Sequence, residues 1–229
     1  GGDGVFNATT GQSFINQGTI RADVSTQLLT INRVQNAGLI DAINGGIANL
    51  TDTWSSSGTI SETNSTINLG GSFTLATFGT FVRSGGSVNV TGTFNLGGGT
   101  RAFDAATGSW NLVGGTIQNG TLSSAAGQGL IATSSNGTLS SMTLAGASAL
   151  AIPAGTDVTS TGGLTLSGAT LTLGSAPNGH SYLYFNGTQT LGGTGEIVLL
   201  EHPVYTRYLT LQGATTTLTI ATGVTVRGA

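Results

Sequence analysis

The 229-residue chain has no cysteine, no lysine, three prolines and few charged side chains. The absence of cysteine excludes disulfides and thiolate metal sites. Three prolines are too few for collagen or for a proline-rich linker. Charged residues make up 7% of the chain, the net charge is −3, and the six arginines form no cluster. Because nucleic-acid binding depends on basic side chains that neutralise phosphates, no nucleic-acid partner is expected.

Long apolar runs and helical periodicity are missing as well. No run approaches the ~18 apolar residues of a membrane-spanning helix, so no membrane span is predicted. No segment keeps the apolar period of a helix over enough positions to form one. Glycine, in contrast, accounts for 39 residues, and threonine, serine and asparagine fill most polar positions. Such side chains suit stacked parallel strands, where like residues lie about 4.8 Å apart and like charges would repel.

The segment 64–96 repeats itself at a fixed interval. Residues 67–69, Ile-Asn-Leu, return as Val-Asn-Val at 88–90, and residues 73–75, Phe-Thr-Leu, return as Phe-Asn-Leu at 94–96. Apolar and polar residues alternate within each run, as in a strand with one buried face. A strand pattern that recurs at such an interval indicates a coil whose turns stack on one another.

Further columns extend this register through the first half of the chain. The tag Gly-Thr/Leu-Ile/Phe recurs at nearly constant steps, beginning at Gly18, Gly38, Gly58 and Gly79. The predicted stacking columns are Ile47, Ile67, Val88 and Trp110; Asn68, Asn89 and Asn111 on the opposite face; and Phe73 with Phe94, preceded by Trp54. Glycine is expected at the corners because it tolerates positive φ. The pattern predicts an all-β parallel solenoid with three short strands per turn and about eleven turns of roughly 20–22 residues.

The second half repeats less regularly. Residues 142–147 match residues 164–169, which predicts one turn between them. Residues 209–215 match residues 164–170 over about twice that distance, which predicts two turns. The alternative architecture is an antiparallel sandwich with strands about every 8–12 residues. It predicts turn signals but no lasting register, so the solenoid is preferred.

A single solenoid is therefore predicted over residues 1–229. Residues 1–122 form its regular turns, and residues 123–229 form less regular turns with a loop near 201–208. No capping helix is evident at either terminus, and the chain does not begin with methionine. We expect a processed form or a fragment of a longer chain, because an open coil end presents unpaired backbone groups.

The repeats resemble those of a known class of bacterial proteins. The Gly-Thr-Ile repeat, the segment 109–122 and the segment 183–198 are similar to repeats of filamentous-haemagglutinin-type β-helices, autotransporter passengers and planctomycete-type giant surface proteins. This resemblance implies a single-stranded right-handed parallel β-helix and an exported protein that serves in surface display, adhesion or filament building. It brings no catalytic residues.

Acidic residues offer one candidate chemistry. Asp23, Asp41 and Glu62 recur at intervals close to one predicted turn, with Arg21 in the first of these turns. Acids on adjacent turns would suit a polysaccharide lyase or hydrolase. There is no lysine and no paired-acid motif, so solvated corner residues are the preferred interpretation. The frame of calcium-binding coil repeats is also absent.

Two histidines and an aromatic-rich stretch complete the candidates. His180 and His202 are one predicted turn apart and would need Glu201 as a further metal ligand; surface histidines are the alternative, and no metal or cofactor is expected. A contact patch for sugars or a neighbouring subunit is predicted from residue types favoured at contacts, against the alternative of an ordinary outward loop. Its members are Tyr182, Tyr184, His202, Tyr205, Arg207 and Tyr208.

The sequence thus favours a structural, non-enzymatic role at a bacterial surface, as an adhesin shaft or a self-associating filament. The expected partners are other copies stacked head to tail, or flanking turns of the parent chain. A carbohydrate- or cell-surface-binding adhesin module is the first alternative, with surface glycans as partners. A β-helix enzyme that degrades polysaccharides is the second.

Overall fold

The computed structural model describes residues 3–175 and 178–229. These residues form an all-β parallel β-solenoid of about nine turns. Gly1, at the end where no capping helix was evident, lies outside the described residues. The helical structure within the described ranges is one short 3₁₀ turn, Leu75–Thr77, and no helix there is long and apolar enough to cross a membrane. The chain divides into two compact units, Gly1–Gly97 and Gly98–Ala229.

The first unit places three short strands in each turn. In chain order its strands are β1 (Gly4–Phe6), β2 (Phe14–Asn16), β3 (Thr19–Ala22), β4 (Leu28–Asn32), β5 (Val34–Asn36), β6 (Leu39–Ala42), β7 (Ile47–Thr51), β8 (Ser55–Ser56), β9 (Thr59–Thr63), β10 (Thr66–Leu69), β11 (Ser72–Thr74), β12 (Thr80–Ser84), β13 (Ser87–Val90) and β14 (Thr93–Asn95). Strands β1, β4, β7, β10 and β13 form one parallel face. Strands β3, β6, β9 and β12 form a second, and β2, β5 and β8 a third.

The β3 face has the register that the glycine tag predicts. Ile20 pairs with Ile40, Ile40 with Ile60, and Ile60 with Phe81. The three isoleucines are buried, so each turn places one branched side chain directly over the last. Apolar burial of this kind contributes about 25 cal/mol per Å² and adds up along the stack.

Close backbone approach explains the tag glycines Gly38 and Gly58 better than positive φ does. Neither residue has a positive φ. A Cβ atom on Gly38 would overlap the carbonyl oxygen of Gly18, and one on Gly58 would overlap that of Gly38. Tolerance of positive φ, the reason expected from the sequence, therefore explains glycine at other corners, such as Gly79, whose φ is 71°.

On the β1 face the structure corrects one predicted column. Ile67 pairs with Val88, and Asn89 donates from Nδ2 to Oδ1 of Asn68 at 2.8 Å. Ile67 pairs with Ala48 in the preceding turn, however, so the placement of Ile47 in this column is wrong. Ile47 lies opposite Thr66 on the other side of the sheet. The turn is one residue shorter than assumed, and a slip of one residue reverses the face of every side chain.

The aromatic column is stacked ring on ring. Phe73 pairs with Phe94, and their ring centroids are 4.6 Å apart with an interplanar angle of 17°. Trp54 stacks on Phe73 at 4.5 Å and 21°. The indole N–H of Trp54 donates to the carbonyl oxygen of Gly70 at 2.9 Å, which satisfies the one polar group of this column.

The second unit is built from longer strands. They are β15 (Thr100–Phe103), β16 (Trp110–Leu112), β17 (Thr116–Ser124), β18 (Leu130–Ala132), β19 (Thr138–Ala145), β20 (Leu150–Ile152), β21 (Asp157–Leu173), β22 (Ser181–Asn186), β23 (Gln189–Leu199), β24 (Arg207–Gln212), β25 (Leu218–Ile220) and β26 (Val224–Gly228). Trp110 is buried and pairs with Leu130, and Asn111 pairs with Ile131. Strand β21 continues around corners and pairs with β19, β20, β22 and β23.

The turn length grows towards the C-terminus. Met142 pairs with Leu164, one turn on, as predicted. Tyr182 then pairs with Tyr208, and this turn is longer than the one between Met142 and Leu164. The predicted two-turn match of Leu209 to Leu164 is wrong, because Leu209 pairs with Leu183 on a different face. Longer turns also explain why the chain completes about nine turns and not eleven. The right-handed winding remains a prediction.

Candidate functional site

All four tyrosines and both histidines of the chain meet on one surface of the second unit. The surface is formed by strands β22 and β24 and by the loop 200–206, which precedes β24. Alternation along β22 buries Leu183 and Phe185 completely and turns Tyr182 and Tyr184 outward. The parallel register then places Tyr208 directly opposite Tyr182. We call this group the aromatic cluster; its members are His180, Tyr182, Tyr184, His202, Tyr205 and Tyr208.

Three tyrosine rings of the aromatic cluster are parallel. The ring centroids of Tyr182 and Tyr208 are 4.6 Å apart at an interplanar angle of 5°. Those of Tyr182 and Tyr184 are 5.3 Å apart at 0°. The three rings are half-buried. Strand register therefore holds an ordered row of phenol rings at the surface.

The two histidines organise the loop 200–206. His202 Nδ1 accepts hydrogen bonds from the backbone N–H groups of Val204 and Tyr205, both at 3.1 Å. His180 Nδ1 accepts one from Thr206 at 3.0 Å. The Tyr205 ring lies between them, 4.9 Å from His202 and 5.6 Å from His180. With Nδ1 used as an acceptor, each neutral imidazole carries its proton on Nε2.

The predicted stacking of His180 on His202 is wrong, because the longer turn brings His180 opposite Thr206. In the part of the chain that the structure describes, no group of three or more histidine, aspartate or glutamate side chains is arranged to hold a metal ion. The histidines instead connect the tyrosine row to the loop, since the His180 ring also lies 5.8 Å from that of Tyr208.

Arg207 does not belong to the exposed patch in which it was predicted. It precedes the outward Tyr208, so strand alternation turns it inward, and it is only 7% exposed. Its Nη1 donates to the carbonyl oxygen of Gly179 at 2.6 Å, and Nη2 to that of Gly174 at 3.4 Å. A Cβ atom on Gly174 would overlap the guanidinium group. Arg207 thus supports the backbone beneath the aromatic cluster.

Polar side chains border the tyrosine row. Asp157 lies opposite Tyr182, and Thr159 opposite Tyr184. Partial burial raises the pKa of Asp157. Burial also raises the pKa of Tyr184, and the nearby carboxylate of Asp157 adds to that effect. The row therefore combines apolar ring surface with hydroxyl and carboxyl groups.

A cavity of about 450 Å³ adjoins the aromatic cluster. It is open to solvent, and its lining includes Glu201, His202, Tyr205 and Thr206. This volume lies within the roughly 300–1,000 Å³ of typical small-molecule sites. The rings of Tyr205 and His202 are shared by the cavity and the cluster, so the two form one continuous surface.

The acidic residues do not form the shared column considered above. Asp41 lies opposite Arg21 and accepts from its Nε and Nη2 at 2.9–3.1 Å. Glu62 lies opposite Ala42, one column away. It is fully buried, so the assignment of Glu62 as a solvated corner residue is also wrong. Its Oε1 accepts from the backbone N–H of Ser65 at 2.6 Å, and burial raises its pKa.

Each of the six arginines is engaged within its own unit. Four form ion pairs with acids: Arg21 with Asp41, Arg33 with Asp52, Arg83 with Glu62, and Arg227 with Glu196. The guanidinium carbon of Arg101 lies 4.1 Å from the ring centroid of Trp110, and burial lowers its pKa to about 10. Arg207 supports the backbone as described. Four of the six arginines are thus engaged in separate ion pairs with acids.

Interior polar ladders are features that the sequence reasoning missed. Asn16 and Asn36 are buried on the β2 face, and Ser56 continues their column. The signal was present, because these residues precede the tag glycines Gly18, Gly38 and Gly58 by two positions each. Gln189 is a second case: its amide accepts from Ser160 Oγ at 2.9 Å and donates to the Ser160 carbonyl at 3.0 Å.

Comparison with protein-family models, with curated proteins and with solved structures finds no match to this chain. The β-solenoid architecture therefore rests on the structure itself. The resemblance to filamentous-haemagglutinin-type repeats rests on the sequence motifs.

Proposed function

We propose that the chain is a structural, non-catalytic protein of a bacterial surface that extends or polymerises by adding solenoid turns. The observation that carries this proposal is the uncovered core at the end of the second unit. Leu211, Ile220 and Val226 are 46%, 47% and 36% exposed. Their register partners one turn earlier are Phe185, Leu191 and Ile197, and all three are 0% exposed. We call these three exposed residues the core edge.

The core edge has the composition of an interior layer. Its residues occupy the inward positions of β24, β25 and β26, which a further turn would cover. Full burial of a leucine, isoleucine or valine side chain contributes about 1.5–3 kcal/mol, so half-exposed side chains leave part of this gain unused. Within the described residues, β24, β25 and β26 each pair with a strand of the preceding turn, and the other edge of each strand is the kind of edge that favours pairing with another strand.

The first turn of the first unit also leaves apolar side chains exposed. Ile20 and Ala22, in the first strand of the β3 face, are already buried. Phe14 and Ile15 in β2 are 36% and 68% exposed. Covering turns would come from flanking segments of the parent chain or from a second copy stacked head to tail. Contact between unlike ends does not close and generates a filament.

The composition and the motifs support an exported location. Stacked uncharged polar ranks, the absence of cysteine and the resemblance to surface β-helix proteins are consistent with an adhesin shaft or filament subunit. The pairing of four arginines with acids supports a structural role over polysaccharide cleavage.

Sedimentation velocity and negative-stain electron microscopy of the 229-residue chain test the proposal. We expect concentration-dependent association into linear polymers. Ile220→Lys and Val226→Lys should abolish it, because a charged side chain would be buried at the joint. Val82→Lys is the matched control, since Val82 is 49% exposed and faces outward on the β3 face of the first unit. Monomers at all concentrations, or polymers unaffected by both lysines, would refute polymerisation through the core edge and leave flanking turns of the parent chain as its cover.

A further inference from the structure

We propose that the aromatic cluster and its adjoining cavity bind a neutral carbohydrate chain. Every tyrosine and histidine of a 229-residue chain lies in this one cluster. Thr159 and Thr210 lie on either side of Tyr184 in its own outward column, and the next outward column holds Thr161, Asn186 and Gln212. This concentration of rings is not required for stacking, because the equivalent outward columns of β17 and β19 pair threonine with threonine.

The cluster offers the surface that a sugar ring needs. Pyranose rings present C–H groups on their faces and hydroxyl groups at their edges. Tyrosine matches both, since it combines a large apolar ring with a polar tip. The rings of Tyr182, Tyr184 and Tyr208 are held parallel by the β22–β24 register. Little side-chain freedom is then lost on binding, which favours affinity.

Groups that can hydrogen-bond to sugar hydroxyls lie beside the tyrosine row and in the cavity. Asp157 and Thr159 lie beside Tyr182 and Tyr184, and Glu201 and Thr206 line the cavity. Carboxylates accept hydrogen bonds from hydroxyl groups, and threonine hydroxyls both donate and accept. One surface thus provides ring contacts along the tyrosine row and polar contacts at each end.

The negative charge of the surface favours neutral over acidic carbohydrates. The acidic groups at the surface are Asp157 and Glu201. Arg207 also lines the cavity, but it is only 7% exposed and its guanidinium group donates to the backbone carbonyls of Gly179 and Gly174. The chain has no lysine. Like charges in this setting repel, so acidic polysaccharides are disfavoured. A neutral oligosaccharide is the ligand class that fits.

Isothermal titration calorimetry with the whole chain tests this site. The probes are cellohexaose, chitohexaose and mannohexaose as neutral chains, and hexagalacturonate as the acidic one. We expect at least one neutral probe to bind with a Kd of about 1 mM or tighter. Hexagalacturonate should bind at least about tenfold more weakly.

Substitutions locate the binding. Tyr182→Ala and Tyr208→Ala should each weaken it about tenfold or more, because each removes a ring from the row. Tyr182→Phe keeps the ring and should remain within about threefold of the unsubstituted chain. Val82→Ala, in the first unit, is the control. The variants are compared by circular dichroism, and if one alanine variant unfolds, the other alanine variant still tests whether the row binds the probe.

Three results would overturn the proposal: no neutral probe binds, the alanine variants bind as well as the unsubstituted chain, or hexagalacturonate binds as tightly as the neutral probes. If Tyr182→Ala instead changes sedimentation without any sugar binding, the cluster is a contact between copies and the carbohydrate proposal is wrong. The core edge and the aromatic cluster share no residue, but Leu211 and Tyr208 both lie on β24, and Gly228 of β26 lines the cavity. The titrations are therefore repeated with Ile220→Lys, so that loss of sugar binding and loss of polymerisation are distinguished.

Discussion

Asn16 donates a hydrogen bond from Nδ2 to Oδ1 of Asn36 at 2.7 Å, inside the first unit. Asn36 in turn donates to Ser56 Oγ at 3.0 Å and to the carbonyl oxygen of Thr59 at 3.1 Å. Side chains in successive turns thus form a ladder of amides. The amides are buried, so water cannot reach them. Removing one amide therefore leaves its former hydrogen-bond partners unsatisfied.

Asn36→Ala should destabilise the first unit by about 1–3 kcal/mol, since it removes the acceptor for Asn16 and the donor for Ser56 and Thr59. The measurement is the urea midpoint at unchanged slope. Asn68→Ala is the matched control. Asn68 accepts from Asn89 on the half-buried outer side of the β1 face, where water replaces the lost bond, so less than about 1 kcal/mol is expected. Equal losses in both variants would contradict the interior role of Asn36.

Gly38→Ala should destabilise the chain by about 1–3 kcal/mol, because the new methyl group overlaps backbone that cannot move without shifting a whole turn. The overlapping atom is the carbonyl oxygen of Gly18. Urea denaturation measures the effect.

Gly18→Ala provides the control within the same column. Gly18 begins the tag in the first turn, and an added Cβ atom meets nothing within 4 Å. Its φ is not positive, so alanine fits and the free energy of unfolding should change by less than about 1 kcal/mol. A Gly18→Ala variant as unstable as Gly38→Ala would show that backbone freedom, and not close stacking, explains glycine in this column.

Glu62→Gln should change how stability depends on pH. Burial raises the pKa of Glu62 above its ordinary 4.5, and this effect exceeds the opposing effects of the Ser65 hydrogen bond and of Arg83. The folded chain therefore binds more protons than the unfolded chain between the two pKa values. The free energy of unfolding falls as pH rises through that interval.

Glutamine cannot titrate, so this loss is absent from the variant. The stability of Glu62→Gln relative to the unsubstituted chain should increase as pH rises from 4.5 upward, and level off above the raised pKa. A series of urea midpoints across this range measures the difference. A difference that stays constant with pH would mean that Glu62 has the same pKa in the folded and unfolded chains.

The candidate site was only partly accessible to sequence reasoning. The residue types of the aromatic cluster were recognised, but Arg207 was placed on the wrong side of the sheet and His180 was assigned to a pair with His202. The His180 error arises from the lengthened turn between β22 and β24, whereas the Arg207 error arises because alternation with the outward Tyr208 turns Arg207 inward. Which side chain lies one turn away depends on the number of residues in the whole turn. The alternation of apolar and polar residues within a strand does not indicate when that number changes.

The sequence by itself determined the architecture, because the tag at Ile20, Ile40, Ile60 and Phe81 keeps nearly constant steps and alternation marks which side is buried. Only the tertiary structure decided where the steps change, as at Ile47 and Leu209. The physical reason is that corner geometry sets how many residues a turn contains, and corners depend on backbone approach and buried polar contacts between turns. A shift of one residue there reverses which side chains meet.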